Sequence, residues 1–138
     1  MDLEKECRTV RGVKSWRIGV EKEEFVFLTK SKKFLSIKRR SDFKRIYHKG
    51  RRVFSSLLIV CALWNKMRET RIGISASKKV GCAVERNRVR RIIKEACLHM
   101  NISMKKDIVI IAKPSVKYCK MQDVWRDLCF LLKKIKNL

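Results

Sequence analysis

The chain has 138 residues, enough for one domain with a single modest core, and its 36 lysines and arginines outnumber its 13 acidic residues to give a net charge of +23. This charge far exceeds what solubility requires, and it predicts a polyanionic partner, with nucleic acid as the leading candidate. Neither an apolar run of transmembrane length nor a secretory signal pattern is visible, which argues against a membrane partner and favours a cytoplasmic protein.

The first 29 residues differ in composition from the rest of the chain. They contain six basic and six acidic residues, so the whole net charge of +23 lies in residues 30–138. We therefore expect a variable, loosely ordered N-terminal extension over residues 1–29 and a folded domain over residues 30–138. Within the extension, the apolar run from Phe25 to Leu28 predicts either a strand or a segment docked against the domain.

A basic segment opens the domain and contains the first predicted helix. Residues 30–52 contain eleven basic residues and a single acidic residue, Asp42. Ser41 is a suitable N-cap residue, Asp42 suits the positive end of a helix and Gly50 suits its C-terminal end. These signals predict a helix from Asp42 to Lys49.

Three apolar side chains share the inner face of this helix, namely Phe43, Ile46 and Tyr47. We expect Ile46 to lie in the core. Phe43 and Tyr47 leave two alternatives open, because aromatic residues within basic sequence either complete a core or provide stacking platforms for unpaired bases.

Two strands are predicted next. The segment from Val53 to Trp64 is rich in β-branched and large apolar residues and predicts one long strand, broken near Ser55 and Ser56. The segment 71–77 alternates in the pattern of a half-buried strand. Since the connection 65–70 is short and polar, we expect these two strands to form an antiparallel hairpin.

A strongly basic helix follows the second strand. Lys78 to Gly81 turn the chain, and from about Cys82 the residues repeat with the period of a helix. One arc of this helix is apolar and predicted to be buried; it contains Val89, Ile92, Ile93, Ala96 and Met100, with Cys97 at its edge.

The opposite arc of the same helix is polar and almost wholly cationic. A solvated helix face usually mixes charges of both signs, so we interpret this arc as a surface for a polyanion. We call it the cationic ridge, and it consists of Asn87, Arg88, Arg90, Arg91 and Lys94, with Arg86 near its boundary.

One strand and one helix complete the domain. Asp107 to Ala112 is almost continuously apolar and predicts an interior strand, which Pro114 closes. The predicted order of elements is αββαβα, an α+β sandwich around one small sheet. Asp123 is the predicted cap of the last helix, whose apolar residues repeat at helical spacing: Val124, Leu128, Leu131, Leu132 and Ile135.

The sequence offers no catalytic constellation. Hydrolysis of a phosphodiester requires converging metal-binding carboxylates or a general acid with a general base. Glu85 and Glu95 lie too far apart on one helix to share an ion, and His48 and His99 fall at helix ends. The six cysteines include no C-x-x-C pair and indicate neither a zinc site nor disulfides. We therefore expect no protein-bound metal and no catalysis by the polypeptide alone.

The turn and the basic helix carry a specific resemblance to a known family. The matching residues resemble the signature of the bacterial ribonuclease P protein subunit, and the resemblance extends from about Phe34 to Leu132. They are Ser77-Lys78-Lys79-Val80-Gly81, Ala83-Val84, Arg86-Asn87-Arg88, Arg90-Arg91 and Glu95.

This resemblance implies a function and a fold. Members of the family assist a catalytic RNA that removes the 5′ leader from precursor tRNA, with Mg2+ held mainly by that RNA. Their fold resembles a ribosomal-protein domain, with a mixed sheet and an unusual left-handed βαβ crossover.

The resemblance also assigns roles to residues. The residues expected to contact the catalytic RNA are Lys78, Lys79, Arg86, Asn87, Arg88, Arg90, Arg91 and Lys94. The residues expected to line a cleft for the single-stranded leader are Phe43, Tyr47, Arg40 and Lys44. Some members place an aromatic residue facing this cleft where this chain has Cys61.

Two other functions fit parts of the pattern. A ribosomal or ribosome-assembly protein would share the charge and the fold, but it would bind ribosomal RNA and would not stimulate leader cleavage. A duplex-DNA-binding protein would need a recognition helix free of the sheet, and the apolar arc of this helix is too wide for that. We therefore expect ribonuclease P RNA and precursor tRNA as partners, and not DNA.

Overall fold

The computed structural model describes residues 34–100 and 102–137 of the chain. The expectations for residues 1–29, including Phe25 to Leu28, lie outside the described residues. Five strands and three helices form the described part: β1 (Leu35–Ser36), α1 (Arg40–Lys49), β2 (Arg51–Phe54), β3 (Leu58–Trp64), β4 (Arg71–Ala76), α2 (Ala83–Leu98), β5 (Lys106–Ala112) and α3 (Met121–Lys136).

The strands form one mixed sheet in the order β1-β4-β5-β3-β2. β5 lies at its centre, parallel to β4 and antiparallel to β3. The α+β class with one small mixed sheet is confirmed, and so is the interior position of β5. The residues Ile108, Val109 and Ile110 have no exposed surface. Such a continuously apolar strand is most stable where both of its edges are paired and both of its faces are covered.

The predicted hairpin between β3 and β4 is wrong, because β5 lies between these two strands. Val60 of β3 and Ile74 of β4 each pair with Ile110 of β5 instead. The short polar connection joins strands that are near each other but not adjacent. β4, α2 and β5 form a βαβ unit, and the left-handed crossover that the resemblance implies stays a prediction.

The antiparallel hairpin of this sheet is formed by β2 and β3. The single strand predicted from Val53 to Trp64 is divided at the serines, as the expected break indicated. The backbone N–H of Ser55 donates to the carbonyl of Leu58 at 2.9 Å, and the Ser55 hydroxyl accepts from the Leu58 N–H at 3.1 Å. The predicted order of elements lacks β1, and it counts β2 and β3 as one strand.

The main core lies on the face of the sheet that α2 and α3 cover. The apolar arcs predicted for both helices are confirmed, although Ile92 and Met100 are only partly buried. From α2 the buried residues are Val89, Ile93, Ala96 and Cys97, and from α3 they are Val124, Leu128, Leu131, Leu132 and Ile135. This packing leaves the polar arc of α2 on the outside of the molecule.

A smaller core lies on the opposite face of the sheet, beneath α1. Ile37, Ile46, Cys61 and Val109 are buried there. The helix ends at Gly50 as predicted, but it begins at Arg40, so Ser41 is not the N-cap.

The last helix also begins earlier than predicted, at Met121. Asp123 lies inside its first turn, where its carboxylate accepts the backbone N–H of Lys120 at 3.2 Å. Asp123 therefore stabilises the start of the helix from the third position rather than as the N-cap. No helix within the described residues is long and apolar enough to cross a membrane.

Candidate RNA interface

The cationic ridge is exposed along α2. Asn87, Arg88, Arg90, Arg91 and Lys94 are all exposed, whereas the residues on the opposite arc are buried. Among the described residues, none of the ion pairs joins a basic side chain of the ridge to an acid. The sheet therefore anchors a helix whose cationic side chains face outward and are available to phosphates.

Arg86 lies at the boundary of the ridge, as its angular position predicts, and is half-buried. Its Nε is buried and has no hydrogen-bond partner within the part of the chain that the structure describes. A buried donor without a partner is costly, so the contacts within the described residues do not fully account for the position of this guanidinium.

The turn before α2 places two further cations beside the ridge. Lys78 and Lys79 are exposed on a 3-10 turn, Lys78–Val80, while Val80 is buried and fixes the turn to the core. Cys82 is the N-cap residue of α2. The predicted turn and the predicted start of the helix are confirmed.

Glu85 stabilises the start of α2, and its charge is neutralised by Lys117, which lies outside the cationic ridge. Its carboxylate lies 2.6 Å from the Nζ of Lys117 and accepts the backbone N–H of Cys82 at 2.9 Å. The hydrogen bond from Lys117, followed by that from Cys82, lowers the pKa of Glu85. Gly81 has a φ of 147°, and a Cβ there would collide with this carboxylate. Position 81 therefore requires glycine.

The aromatic side chains of α1 lie between the helix and the sheet. The ring centroids of Phe43 and Tyr47 are 6.3 Å apart, with 47° between the ring planes, and both residues are half-buried. A Cβ at Gly73 of β4 would lie only 2.8 Å from the Cζ of Phe43, so glycine provides the space for this ring. The two rings contact the smaller core and also retain exposed surface. Arg40 and Lys44 are exposed on the same helix.

One row of paired residues runs across the strands of the sheet next to the part that α1 covers. This row belongs to the candidate site, and the sequence did not predict it. Phe54 pairs with Ile59, which pairs with Ile111, which in turn pairs with Ser75. Phe54 is 59% exposed, and the other three are partly exposed. Residues two apart on a strand share a face, so this row continues the face that α1 covers. The alternation along each strand was the available signal, but it does not show which strands are neighbours.

Cys61 lies one row further along, beneath α1, and has no exposed surface. Burial raises the pKa of its thiol, and the charge of Arg52 and its hydrogen bond oppose this rise. Cys61 therefore forms part of the base of the smaller core, and the neighbouring exposed row contains Ile59 instead.

A network of charges fastens α1 to the sheet. The carboxylate of Asp107 is fully buried and accepts hydrogen bonds from Arg71 at 2.5 and 2.8 Å, from Arg45 at 3.1 Å and from Asn65 at 2.8 Å. Asp42 on α1 lies 3.2 Å from Arg71 and 3.5 Å from Arg45.

The pKa of Asp107 reflects these contacts. Burial alone would raise it, but the hydrogen bonds from Arg71 and Asn65 and the charges of Arg71 and Arg45 hold the pKa below its usual value. Hydrogen bonding to Asp107 likewise raises the pKa of Arg71. The carboxylate is thus held ionised inside the protein.

Candidate metal ligands do not converge in the described part of the chain. No group of three or more His, Cys, Asp or Glu residues there could hold a metal ion. Asp42 and Asp107 share the partners Arg45 and Arg71, and these ion pairs occupy both carboxylates. These side chains do not fit a magnesium site.

Comparisons with known proteins agree on one family. The family model for ribonuclease P matches residues 31–136. A relative from Clostridioides difficile, named ribonuclease P protein component, is 42% identical over 102 residues, which cover 71% of this chain and 89% of the relative.

Solved structures match in the same way. The RNase P protein of Staphylococcus aureus is 38% identical, with a TM-score of 0.68 over 75% of this chain and 97% of that chain. A mutant of that protein, described as having defective mRNA degradation activity, matches with the same TM-score of 0.68. The RNase P protein of Thermotoga maritima is 27% identical, with a TM-score of 0.67 over 72% of this chain and 96% of that chain.

Proposed function

Because the chain belongs to the family of bacterial ribonuclease P protein components, and its partner is therefore an RNA, we propose that it binds the catalytic RNA of ribonuclease P and the 5′ leader of precursor tRNA. Its contribution is to promote endonucleolytic removal of the leader in the cytoplasm. The observation that supports this proposal best is the exposed cationic ridge on a helix whose other face is buried against the sheet.

The proposed mechanism is electrostatic and positional. Arg88, Arg90, Arg91 and Lys94 neutralise phosphates of the catalytic RNA, with Lys78 and Lys79 at the adjoining turn, and Arg86 and Asn87 donate hydrogen bonds. The leader lies in the cleft between α1 and the exposed row of the sheet that contains Ile59. There it contacts Phe43 and Tyr47 and lies near Arg40 and Lys44. The protein thereby holds the leader and the catalytic RNA next to each other.

Mg2+ belongs to the RNA in this proposal. When bound there, it supplies the Lewis acidity and the activated water that phosphodiester cleavage needs. The described side chains of the protein take part by neutralising phosphate charge, which lowers the concentration of Mg2+ that the folded RNA requires.

Reconstitution tests the proposal directly. The full chain is added to a bacterial ribonuclease P RNA at low Mg2+, and cleavage of a labelled precursor tRNA is measured. We expect strong stimulation by the protein and restoration of RNA-only cleavage at high Mg2+. Binding to ribosomal RNA without stimulation of cleavage would contradict the proposal and support the ribosomal alternative.

The polypeptide alone is proposed to be non-catalytic. The purified chain, free of RNA, is incubated with precursor tRNA and, because a solved S. aureus mutant is described by its defective mRNA degradation, also with an mRNA. We expect both RNAs to remain intact. Removal of the leader without an RNA partner would overturn the assignment of the chemistry to RNA.

The ridge is tested by Arg88→Ala and Arg91→Ala. Each change removes one charge-assisted contact to a phosphate, so we expect affinity for the catalytic RNA to fall about tenfold. Arg126→Ala is the matched control, because Arg126 is an exposed arginine on α3, outside the ridge. Equal losses for all three variants would show that only total charge matters and would refute the ridge as a specific surface.

A further inference from the structure

Tyr118 is the most exposed large hydrophobic side chain in the described part of the chain, at 82% exposure. It ends a 3-10 helix, Pro114–Tyr118, whose Val116 is buried in the main core. The Nζ of Lys117 lies 5.5 Å from the centroid of its ring. A large ring left almost wholly in water contributes little to folding, and both of its faces remain available to a partner.

The position of this ring connects it to the candidate RNA interface. The ion pair between Lys117 and Glu85 joins the 3-10 helix to the first turn of α2. The same 3-10 helix packs beside the turn that carries Lys78 and Lys79. Tyr118 is therefore held at the end of the molecule where the cationic ridge begins.

A second exposed apolar residue lies at the same end. Val84, in the first turn of α2, is 77% exposed. Val84 precedes Glu85 and Tyr118 follows Lys117, so each adjoins one member of the ion pair. These two exposed apolar side chains thus border the cationic surface.

We propose that Tyr118 is a stacking platform for an unpaired base of the catalytic RNA, and that it extends the RNA-binding surface from the ridge onto the 3-10 helix Pro114–Tyr118. This inference rests on the proposed function and adds a contact to it. An aromatic ring beside phosphate-binding cations is the arrangement that recognises single-stranded nucleotides, since the ring binds the base while the cations bind the backbone. The rigid anchor through Val116, Lys117 and Glu85 reduces the entropy lost when the base docks.

The test compares Tyr118→Ala and Tyr118→Phe in the full chain. Stacking on an aromatic ring contributes about 1 to 3 kcal/mol per base, so Tyr118→Ala is expected to weaken binding to the ribonuclease P RNA about 5- to 150-fold. Tyr118→Phe retains the ring and is expected to bind within about twofold of the wild type. Because the ring is exposed, neither change is expected to impair folding.

Phe130→Ala is the matched control. Phe130 is an exposed aromatic residue on α3, at 51% exposure, with the Nζ of Lys134 at 4.3 Å from its ring centroid. Its environment resembles that of Tyr118, but it lies on another element. We expect Phe130→Ala to leave the affinity unchanged, so an equal loss in both alanine variants would overturn the specific role of Tyr118.

Salt dependence separates stacking from charge. Tyr118→Ala removes no phosphate contact, so the slope of log K against log salt is expected to stay at the wild-type value, whereas Arg88→Ala lowers its magnitude by about one. Crosslinking from p-benzoylphenylalanine at position 118 is expected to identify an unpaired nucleotide of the catalytic RNA.

The outcomes distinguish this inference from the proposed function. If the wild type neither binds the catalytic RNA nor stimulates cleavage, the proposed function fails. If Arg88→Ala weakens binding but Tyr118→Ala does not, only the platform is refuted. Crosslinks to the tRNA leader, or to a protein instead of the catalytic RNA, would also refute it.

Discussion

Asp107 is a carboxylate with no exposed surface inside a chain of net charge +23. Burial of a lone charge is costly, and here the cost is offset by hydrogen bonds from Arg71, Arg45 and Asn65. The three donors come from β4, α1 and the β3–β4 connection. One side chain therefore fixes the position of the helix that forms one wall of the proposed leader cleft.

We expect Asp107→Ala to lower the free energy of unfolding by about 3 kcal/mol. The change leaves the half-buried Arg71 without its main partner, while Arg45, which is more exposed, recovers hydration. Urea unfolding of the two proteins measures the difference. Glu69→Gln, a change in an exposed acid of the β3–β4 connection, is the control and is expected to alter stability by less than about 0.5 kcal/mol.

The pH dependence of stability follows from the same residue. Because the pKa of Asp107 is lower in the folded than in the unfolded chain, its contribution is complete above the unfolded value of about 4 and is lost as pH falls through the folded value. We expect stability of the wild type to decline in acid below about pH 4, and more steeply than that of Asp107→Asn. If the stability of the two proteins declined equally steeply in acid, Asp107 would not be the source of this pH dependence.

The sequence predicted the role of some of these residues and not of others. The exposure of Arg88, Arg90 and Arg91 follows from helical periodicity, which depends on neighbouring residues alone. The partners of Asp107 do not follow from the local sequence, because Arg71 lies 36 positions away along the chain. Asp107 was predicted only as the first residue of an apolar strand, since nothing in the local pattern shows which cations will surround it.

At the scale of elements, α1 carries its aromatic residues against β4. We expect Phe43→Ala to weaken binding of precursor tRNA to the holoenzyme about tenfold while leaving mature tRNA unchanged, because only the precursor carries a leader to stack on the ring. Binding assays with both tRNAs measure this difference. Equal losses for the two tRNAs would remove Phe43 from the leader cleft.

Phe43→Leu separates stacking from packing. Leucine keeps an apolar contact with Gly73 but has no aromatic face, so we expect it to lose the preference for precursor while it retains more stability than alanine. If the leucine variant kept the full preference for precursor tRNA, Phe43 would act by packing in the smaller core and not by stacking on a base.

The types of the larger elements were predictable, but their pairing was not. Helical periodicity predicted α2 and α3, because burial of one face determines the pattern of each helix, and a continuous apolar run predicted β5. The choice of neighbours in a sheet depends on contacts between distant segments, and β3 and β4 have the composition and spacing of a hairpin. The strand β1 has only two residues, Leu35–Ser36, which is too short for any periodic pattern.

For the whole molecule, charge sets the salt dependence of binding. If the protein neutralises about six phosphates, log K for the catalytic RNA is expected to fall with log salt at a slope of roughly −4 to −5. Filter-binding measurements over a range of KCl concentrations give this slope. A value near zero would mean that the cationic ridge does not face phosphates in the complex.

The central position of β5 determines the order in which the sheet can be completed during synthesis. Until Lys106–Ala112 has left the ribosome, the described strands can form only two separate pairs, β1 with β4 and β2 with β3. The helix that carries the arginines is made before β5, the central strand of the sheet that anchors this helix. We therefore expect the emerging polypeptide to bind RNA tightly only after β5 has been synthesised, which protects the partner RNA from capture by incomplete chains.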